Sequence, residues 1–180
     1  MVEIMTRKGE KRMHTFQPMK TNQFECNPFK TFPEEYALIS AGDKNKYNTM
    51  TVSWGGFGQL WGKDVCFVFI RESRYTKEFI DSGDLFTISF LGGAYKDALE
   101  LCGKVSGRDG DKFKLAKLTP AFRHGIPYAD EANLVFLCEK IAEMEFRPEM
   151  FDMPDIEKKW YADGDYHTMY IAEVVEVVAR

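Results

Sequence analysis

At 180 residues the chain is long enough for one domain whose core needs no disulfide or metal staple. Its apolar fraction of 44% and charged fraction of 29% are globular proportions, which exclude a disordered or fibrous protein. The net charge of −4 lacks the basic surplus of a protein built around the nucleic-acid backbone, and no apolar run approaches the roughly 20 residues of a membrane helix.

In chain order, residues 1–33 are polar and contain Pro18, Pro28 and Pro33. They read as an arm or irregular lead-in to a domain over 34–180. The first part is locally basic, with Arg7, Lys8, Lys11, Arg12 and Lys20 against Glu3 and Glu10, as in a solvated arm. The N-terminus lacks the apolar core of a signal peptide, so the expected address is the cytoplasm. Cys26, Cys66, Cys102 and Cys138 are widely spaced with no C-x-x-C pair, signalling neither a zinc site nor a redox dithiol. A reducing compartment fits, with Cys66 and Cys138 as small core residues.

Tyr36 to Ala41 is a short apolar run that stops at the turn signal Gly42-Asp43. Met50 to Trp54 alternates, with Met50, Val52 and Trp54 opposite Thr51 and Ser53, and predicts a half-buried strand. Gly56-Phe-Gly58 followed by Gly62 is one residue too long for a dinucleotide fingerprint, and a strand rather than a helix comes next. The glycines are read as a connection between strands. Val65 to Ile70, apolar on both faces, predicts a central strand. Tyr75 to Ser82 predicts a helix, Leu85 to Leu91 a strand, and Ala94 to Leu101 a helix stopped by Gly103. Gly125 to Pro127 and Pro148 to Pro154 read as loops; Asn133 to Phe146 and His167 to Val178 carry strand chemistry. Strands dominate and helices interrupt, so the predicted class is mainly β with helical insertions, a barrel rather than an alternating βαβ sheet.

The corner Ile70-Arg-Glu-Ser-Arg-Tyr-Thr76 runs from a buried strand into a helix. Ser73 is placed to cap that helix and Thr76 lies in its first turn. A helix N-terminus attracts anions, and Arg71 and Arg74 flank it with guanidinium groups that match phosphate geometry. The competing reading is a capped helix whose arginines pair with Glu72 and Glu78. Upstream, Thr49, Thr51 and Ser53 share one strand face, and the backbone near Met50 and Thr51 offers polar groups to a planar heterocycle. Met50, Trp54, Phe57 and Trp61 are candidate walls; core packing beneath a solvated hydroxyl face is the alternative. His14, His124 and His167 have no metal-ligand spacing, and Asp109-Gly-Asp111 and Asp163-Gly-Asp165 read as turns.

The run Asn48-Thr-Met-Thr-Val-Ser-Trp54, the Arg71-Glu-Ser-Arg-Tyr-Thr76 corner, Cys102-Gly-Lys-Val-Ser-Gly-Arg-Asp109 with Asp111-Lys112, and His167-Thr168 entering the last strand resemble the flavin reductase-like family, flavoredoxins included. The resemblance covers roughly residues 34–178. It implies an FMN-binding split β-barrel, a homodimer with flavin near the subunit interface. It implies that Asn48, Thr49, Met50 and Thr51 face the isoalloxazine and ribityl chain. Arg71, Ser73, Arg74 and Thr76 would hold the phosphate. Ser106, Gly107 and Arg108 would form a loop near the cofactor, with His167 near the ring, and Asp109 to Lys112 a turn feeding the next helix. Met144, Met150, Phe151, Met153, Trp160 and Tyr161 crowd the 145–165 stretch, either as local packing or as cover for the flavin or a partner site.

Three functions follow as expectations. One is NAD(P)H-dependent reduction of bound FMN, with electrons passed to free flavin or a partner. Another is a flavoredoxin-type carrier, supplied by a redox protein, with little NAD(P)H activity. The third is a non-flavin binding barrel, disfavoured by the Arg71/Arg74 pair. The acceptor is unassigned, and no nucleic-acid or membrane partner is expected.

Overall fold

The computed structural model describes residues 13–180, so Arg7, Lys8, Lys11 and Arg12 of the basic lead-in lie outside the described residues. The strands are β1 (Gln17–Met19), β2 (Ala37–Gly42), β3 (Tyr47–Val52), β4 (Gly55–Leu60), β5 (Lys63–Arg71), β6 (Leu85–Phe90), β7 (Pro120–Arg123), β8 (Ile126–Ala129), β9 (Leu134–Glu145) and β10 (His167–Ala179). The helices are α1 (Pro28–Thr31), α2 (Tyr75–Ser82), α3 (Lys96–Lys104), α4 (Lys112–Leu115) and α5 (Pro154–Trp160).

Antiparallel pairing builds one sheet in the order β3-β2-β6-β9-β10-β5-β4, with β1 added to β10. Strand β10 is the spine. It pairs with β9 along its length, with β5 from His167↔Arg71 to Glu173↔Val65, and with β1 at its end. Register shifts at Ile171/Ala172 and Val174/Glu176 mark bulges, which bend a strand and increase its twist. Strands β7 and β8 form a separate hairpin.

The period-2 pattern divides the core. Ala37, Ile39, Phe86, Ile88, Phe136 and Val177 join one cluster with Met50, Val52 and Ile70 from the neighbouring strands. Their neighbours Leu38, Val135 and Val178 point the other way and pack with Leu99, Cys102, Phe113 and Tyr128 from α3, α4 and the small hairpin. Alternate residues of one strand thus serve two buried faces. Cys66 and Cys138 are buried free thiols in the first cluster, where the apolar surroundings push the Cys138 thiol up, while Cys26 is exposed.

Four expectations change. The described part of the lead-in is not wholly irregular, since β1 extends the sheet through Gln17↔Ala179. The glycine stretch is itself strand β4, joined to β5 by Trp61 and Gly62 at φ 54° and 73°, the left-handed pair that a tight hairpin needs. Gly55 is required there by close approach: a Cβ would lie 2.7 Å from the Phe32 ring and 2.9 Å from the Phe67 carbonyl oxygen. Gly125-Ile-Pro127 belongs to the β7–β8 hairpin turn and its return strand. Residues beyond Pro154 form α5, whose first helical position is that proline.

Candidate functional site

Two adjoining depressions lie where β3, the end of β5, the start of α2 and the end of α3 meet. The larger, about 280 Å³, is lined by Met50, Thr51, Val52, Ser53 and Trp54, by Phe69, Arg71 and Arg74, and by Trp160 and His167. The smaller, about 80 Å³, is lined by Ser73, Arg74, Tyr75 and Thr76 on one side and by Lys104 to Gly107 and Lys112 on the other. Met50 and Arg74 line both. A roomier groove of about 530 Å³ near Lys46 carries Asp43, Glu78 and Asp84, a charge balance that repels anions.

The smaller pocket is cationic by construction. Helix α2 begins at Tyr75 with Arg74 at the capping position, and no side chain caps it. This corrects the expected Ser73 cap: the Ser73 hydroxyl and N–H are both committed to the Asp165 carboxylate, at 2.7 and 3.0 Å. The early N–H groups of α2 therefore keep no side-chain acceptor from the cap. From the other side comes the C-terminus of α3, whose carbonyls carry partial negative charge. The Gly103 carbonyl accepts from Arg74 Nη2, and the Cys102 carbonyl accepts from Lys112 Nζ at 2.7 Å. Lys112 is only 3% exposed. Burial, then the nearby Arg74 charge, push its ammonium pKa down to about 8. Burial also lowers the Arg74 pKa.

Asn48 supports this pocket from behind. Its Nδ2 donates to Thr76 Oγ1 at 2.9 Å. A Cβ on Gly107 would fall 2.2 Å from Asn48 Oδ1, so only glycine lets the 106–108 loop close over that amide. The Asn48–Thr76 bond ties β3 to the first turn of α2.

The larger cleft has an aromatic mouth. Trp54 meets Trp160 edge-on at 5.1 Å and lies 4.9 Å from the His167 ring. His167 Nδ1 is 2.9 Å from the buried Tyr161 hydroxyl. Burial first and the Arg71 charge second push the His167 pKa down to about 4, against a smaller opposing effect of Asp165. Arg71 does not turn towards the small pocket. It donates to the Asp165 and Trp160 carbonyls at 2.8 and 2.7 Å and faces the Asp163 and Asp165 carboxylates at 3.5 and 3.7 Å.

Of the residues singled out in the sequence, Met50, Thr51, Ser53, Arg71, Arg74 and His167 meet in the larger cleft. Ser73, Thr76, Ser106 and Gly107 join Met50 and Arg74 in the smaller. Asn48 lies behind the smaller. Thr49 is fully buried, accepting from Ser40 and donating to the Ile39 carbonyl, so its hydroxyl is spent on the fold. Arg108 lies on the rim, where it pairs with Glu78 and covers the Tyr75 ring. Phe57 packs among Phe24, Phe32 and Phe136, and Trp61 is exposed on the β4–β5 turn, so neither walls the cleft. Of the aromatics that crowd the 145–165 stretch, Trp160 lines the larger cleft and Tyr161 backs its histidine, whereas Lys112 emerges as a site residue only from the structure. A lysine after Asp111 at a helix start reads the same whether it is solvated or buried, so no local signal marks Lys112.

Residues 29–180 match the flavin reductase like domain, and the chain belongs to that family. Among solved structures, it resembles an FMN-binding domain of a flavin reductase-like enzyme from Shewanella baltica, with 16% identity and a TM-score of 0.67 over 94% of this chain and 79% of the other. It also resembles a flavoredoxin from Methanosarcina acetivorans (20% identity, TM-score 0.66, 90% and 76% covered). A flavoredoxin from Desulfovibrio vulgaris has 22% identity and a TM-score of 0.63, with 98% and 77% covered. No curated protein sequence matches. The fold expected from the sequence, mainly β with helical insertions, is the fold found, and structures that share it include one described as a split barrel domain.

The residues present fit a flavin. A phosphate needs compensating charge in a small space, and the smaller pocket presents two cations, half-buried Arg74 and buried Lys112, with no acidic ion-pair partner among the described residues. A planar ring needs apolar walls with a few polar groups, and the adjoining cleft supplies Met50, Trp54 and Phe69 with Ser53 and His167.

Proposed function

We propose that the chain binds FMN noncovalently and reduces it with NAD(P)H, passing the electrons to free flavin or to a partner protein. The observation that carries this reading is the convergence of half-buried Arg74 and buried Lys112 on a small pocket that opens into an aromatic cleft. A phosphomonoester brings about −1.5 to −2 charges at neutral pH, which two cations and the start of α2 balance. Ser106 and Thr76 add hydroxyl groups at the pocket wall. Met50, Phe69 and Trp54 hold the ring, while the backbone of Thr51 and Ser53 borders it.

FMN, when bound, supplies the redox chemistry by accepting a hydride at N5 from a nicotinamide. The protein's part is to orient the ring, leave one face open, and keep the donor within about 3–3.5 Å of the reacting atom. Trp54 and Trp160 border that open side and limit what can stack there. No side chain is assigned a covalent role. We place this site near the interface of a homodimer, as the family resemblance implies; the molar mass in solution tests that. Among the described residues no helix is long and apolar enough to cross a membrane.

The flavoredoxin neighbours support a second reading, in which FMN stays bound and relays electrons between redox proteins. The absorption spectrum of the purified protein, with FMN titration, tests the cofactor. A colourless protein that ignores added FMN sinks both readings. NADH and NADPH oxidation, measured with and without free FMN, separates reductase from carrier: turnover that needs neither partner nor preloading supports the reductase.

A further inference from the structure

Tyr161 and His167 form a buried pair at the edge of the larger cleft. Tyr161 is 5% exposed and follows the last residue of α5. Its ring stacks on Tyr166 at 4.8 Å and 14°, and the Arg71 guanidinium covers it at 5.4 Å. The hydroxyl is 2.9 Å from His167 Nδ1, its one hydrogen-bond partner among the described residues.

That single contact sets the direction of the hydrogen bond. If the phenol accepted from an Nδ1–H, its own proton would be left buried without an acceptor, which a folded interior avoids. The phenol therefore donates, Nδ1 accepts, and a neutral ring carries its proton on Nε2. Burial raises the Tyr161 pKa, which keeps that donor protonated. The groups facing His167 are Arg71 across the β5–β10 pair, Asp165 just before β10, and Tyr161; the first, together with burial, keeps the imidazole neutral. Nε2 has no protein partner among the described residues, and the ring lines the cleft.

We propose that Tyr161 is a positioning residue that locks His167 as the Nε2–H tautomer, so that His167 offers a neutral hydrogen-bond donor to the ligand in the cleft. The complementary group is an acceptor that gains electron density on reduction: a carbonyl oxygen or ring nitrogen of a flavin, or of a conjugated carbonyl compound stacked on it. A neutral donor there favours the electron-rich form without a counter-ion. This rests on the flavin site proposed above, and the test separates the two.

Long-range ¹H–¹⁵N spectra of the histidine side chains, recorded on the full chain with and without FMN, read the tautomer directly. The expected result is a His167 with protonated Nε2 and bare Nδ1, unchanged from pH 8 to 5, whose Nε2–H signal moves when FMN is added. Tyr161→Phe is expected to mix the tautomers and weaken FMN binding roughly 3- to 10-fold. His167→Gln, which keeps a donor near the Nε2 position, is expected to restore most of the affinity lost in His167→Leu. An Nδ1–H tautomer or an imidazolium at pH 7 in the wild type overturns the inference, and so does a Tyr161→Phe variant with an unaltered tautomer. If Tyr161→Phe does not fold, the wild-type spectra decide. Flavin-fluorescence quenching on the same samples distinguishes the failures. FMN that binds without moving the Nε2–H signal overturns this inference alone, whereas FMN that does not bind removes the flavin site too.

Discussion

At the scale of single residues, the two cations of the small pocket differ in a way that can be measured. Arg74 stays charged throughout the accessible pH range. Replacing it with alanine is expected to weaken FMN binding by about 1.5–3 kcal/mol, the scale of a hydrogen bond to a charged group; an unchanged titration would remove it from the phosphate site. Lys112 titrates, because burial and Arg74 bring its pKa down to about 8. A bound phosphate dianion, whose own second pKa is near 6, favours the protonated amine and lifts that pKa. Above pH 8 the free protein gives up the proton that the complex retains, so binding takes up a proton. FMN affinity is then expected to fall from pH 8 to 9.5 by up to about tenfold per unit. Lys112→Met should bind less tightly at pH 7 and show a flatter profile over the same range. Calorimetry in buffers of different ionisation enthalpy would detect the proton uptake; its absence would place the phosphate elsewhere. Gly107→Ala tests the same pocket sterically. Its new Cβ meets the Asn48 amide, so the Asn48–Thr76 bond must move, and Asn48→Ala combined with Gly107→Ala should cost less than the sum of the two.

At the scale of elements, the corner between β5 and α2 separates two arginines three positions apart. Arg74 turns towards the end of α3, whereas Arg71 holds the segment that leads from α5 into β10. The sequence makes the corner itself legible: an apolar strand ends at Ile70, the period changes, and charged and hydroxyl residues collect at the change. It leaves the choice of partner for each side chain hidden. The partners of Arg71 and Ser73 lie about ninety positions downstream in a segment with no simple periodicity. Strand β4 was hidden for a related reason: its glycines carry no strand propensity, and its existence depends on the partner β5. The different tasks of the arginines give a prediction. Arg71→Ala should expose the 148–165 segment to limited proteolysis and weaken FMN binding less than Arg74→Ala does. Equal losses of affinity with unchanged proteolysis would return Arg71 to the phosphate.

At the scale of the whole molecule, β10 carries the histidine of the cleft and also the pairing of β1, β5 and β9, so the ionisation of one residue reports on the assembled sheet. His167 is 8% exposed and its pKa lies near 4, below the ordinary imidazole value of about 6.5. The sign follows from proton binding. Between those values the unfolded chain takes up a proton that the folded chain refuses, so stability present above pH 6.5 is lost as pH falls towards 4. Glu176, held low first by its bond to Arg123, behaves in the same sense but below the usual carboxylate value of 4.5. The two windows therefore separate. Urea unfolding between pH 7 and 4.5 is expected to show a decline that His167→Gln largely removes, leaving the loss below pH 4.5 in place. A decline of the same size in His167→Gln would mean that this imidazole becomes charged inside the folded protein as the pH falls through its ordinary range, and the neutral donor assigned to the cleft would not persist to pH 5.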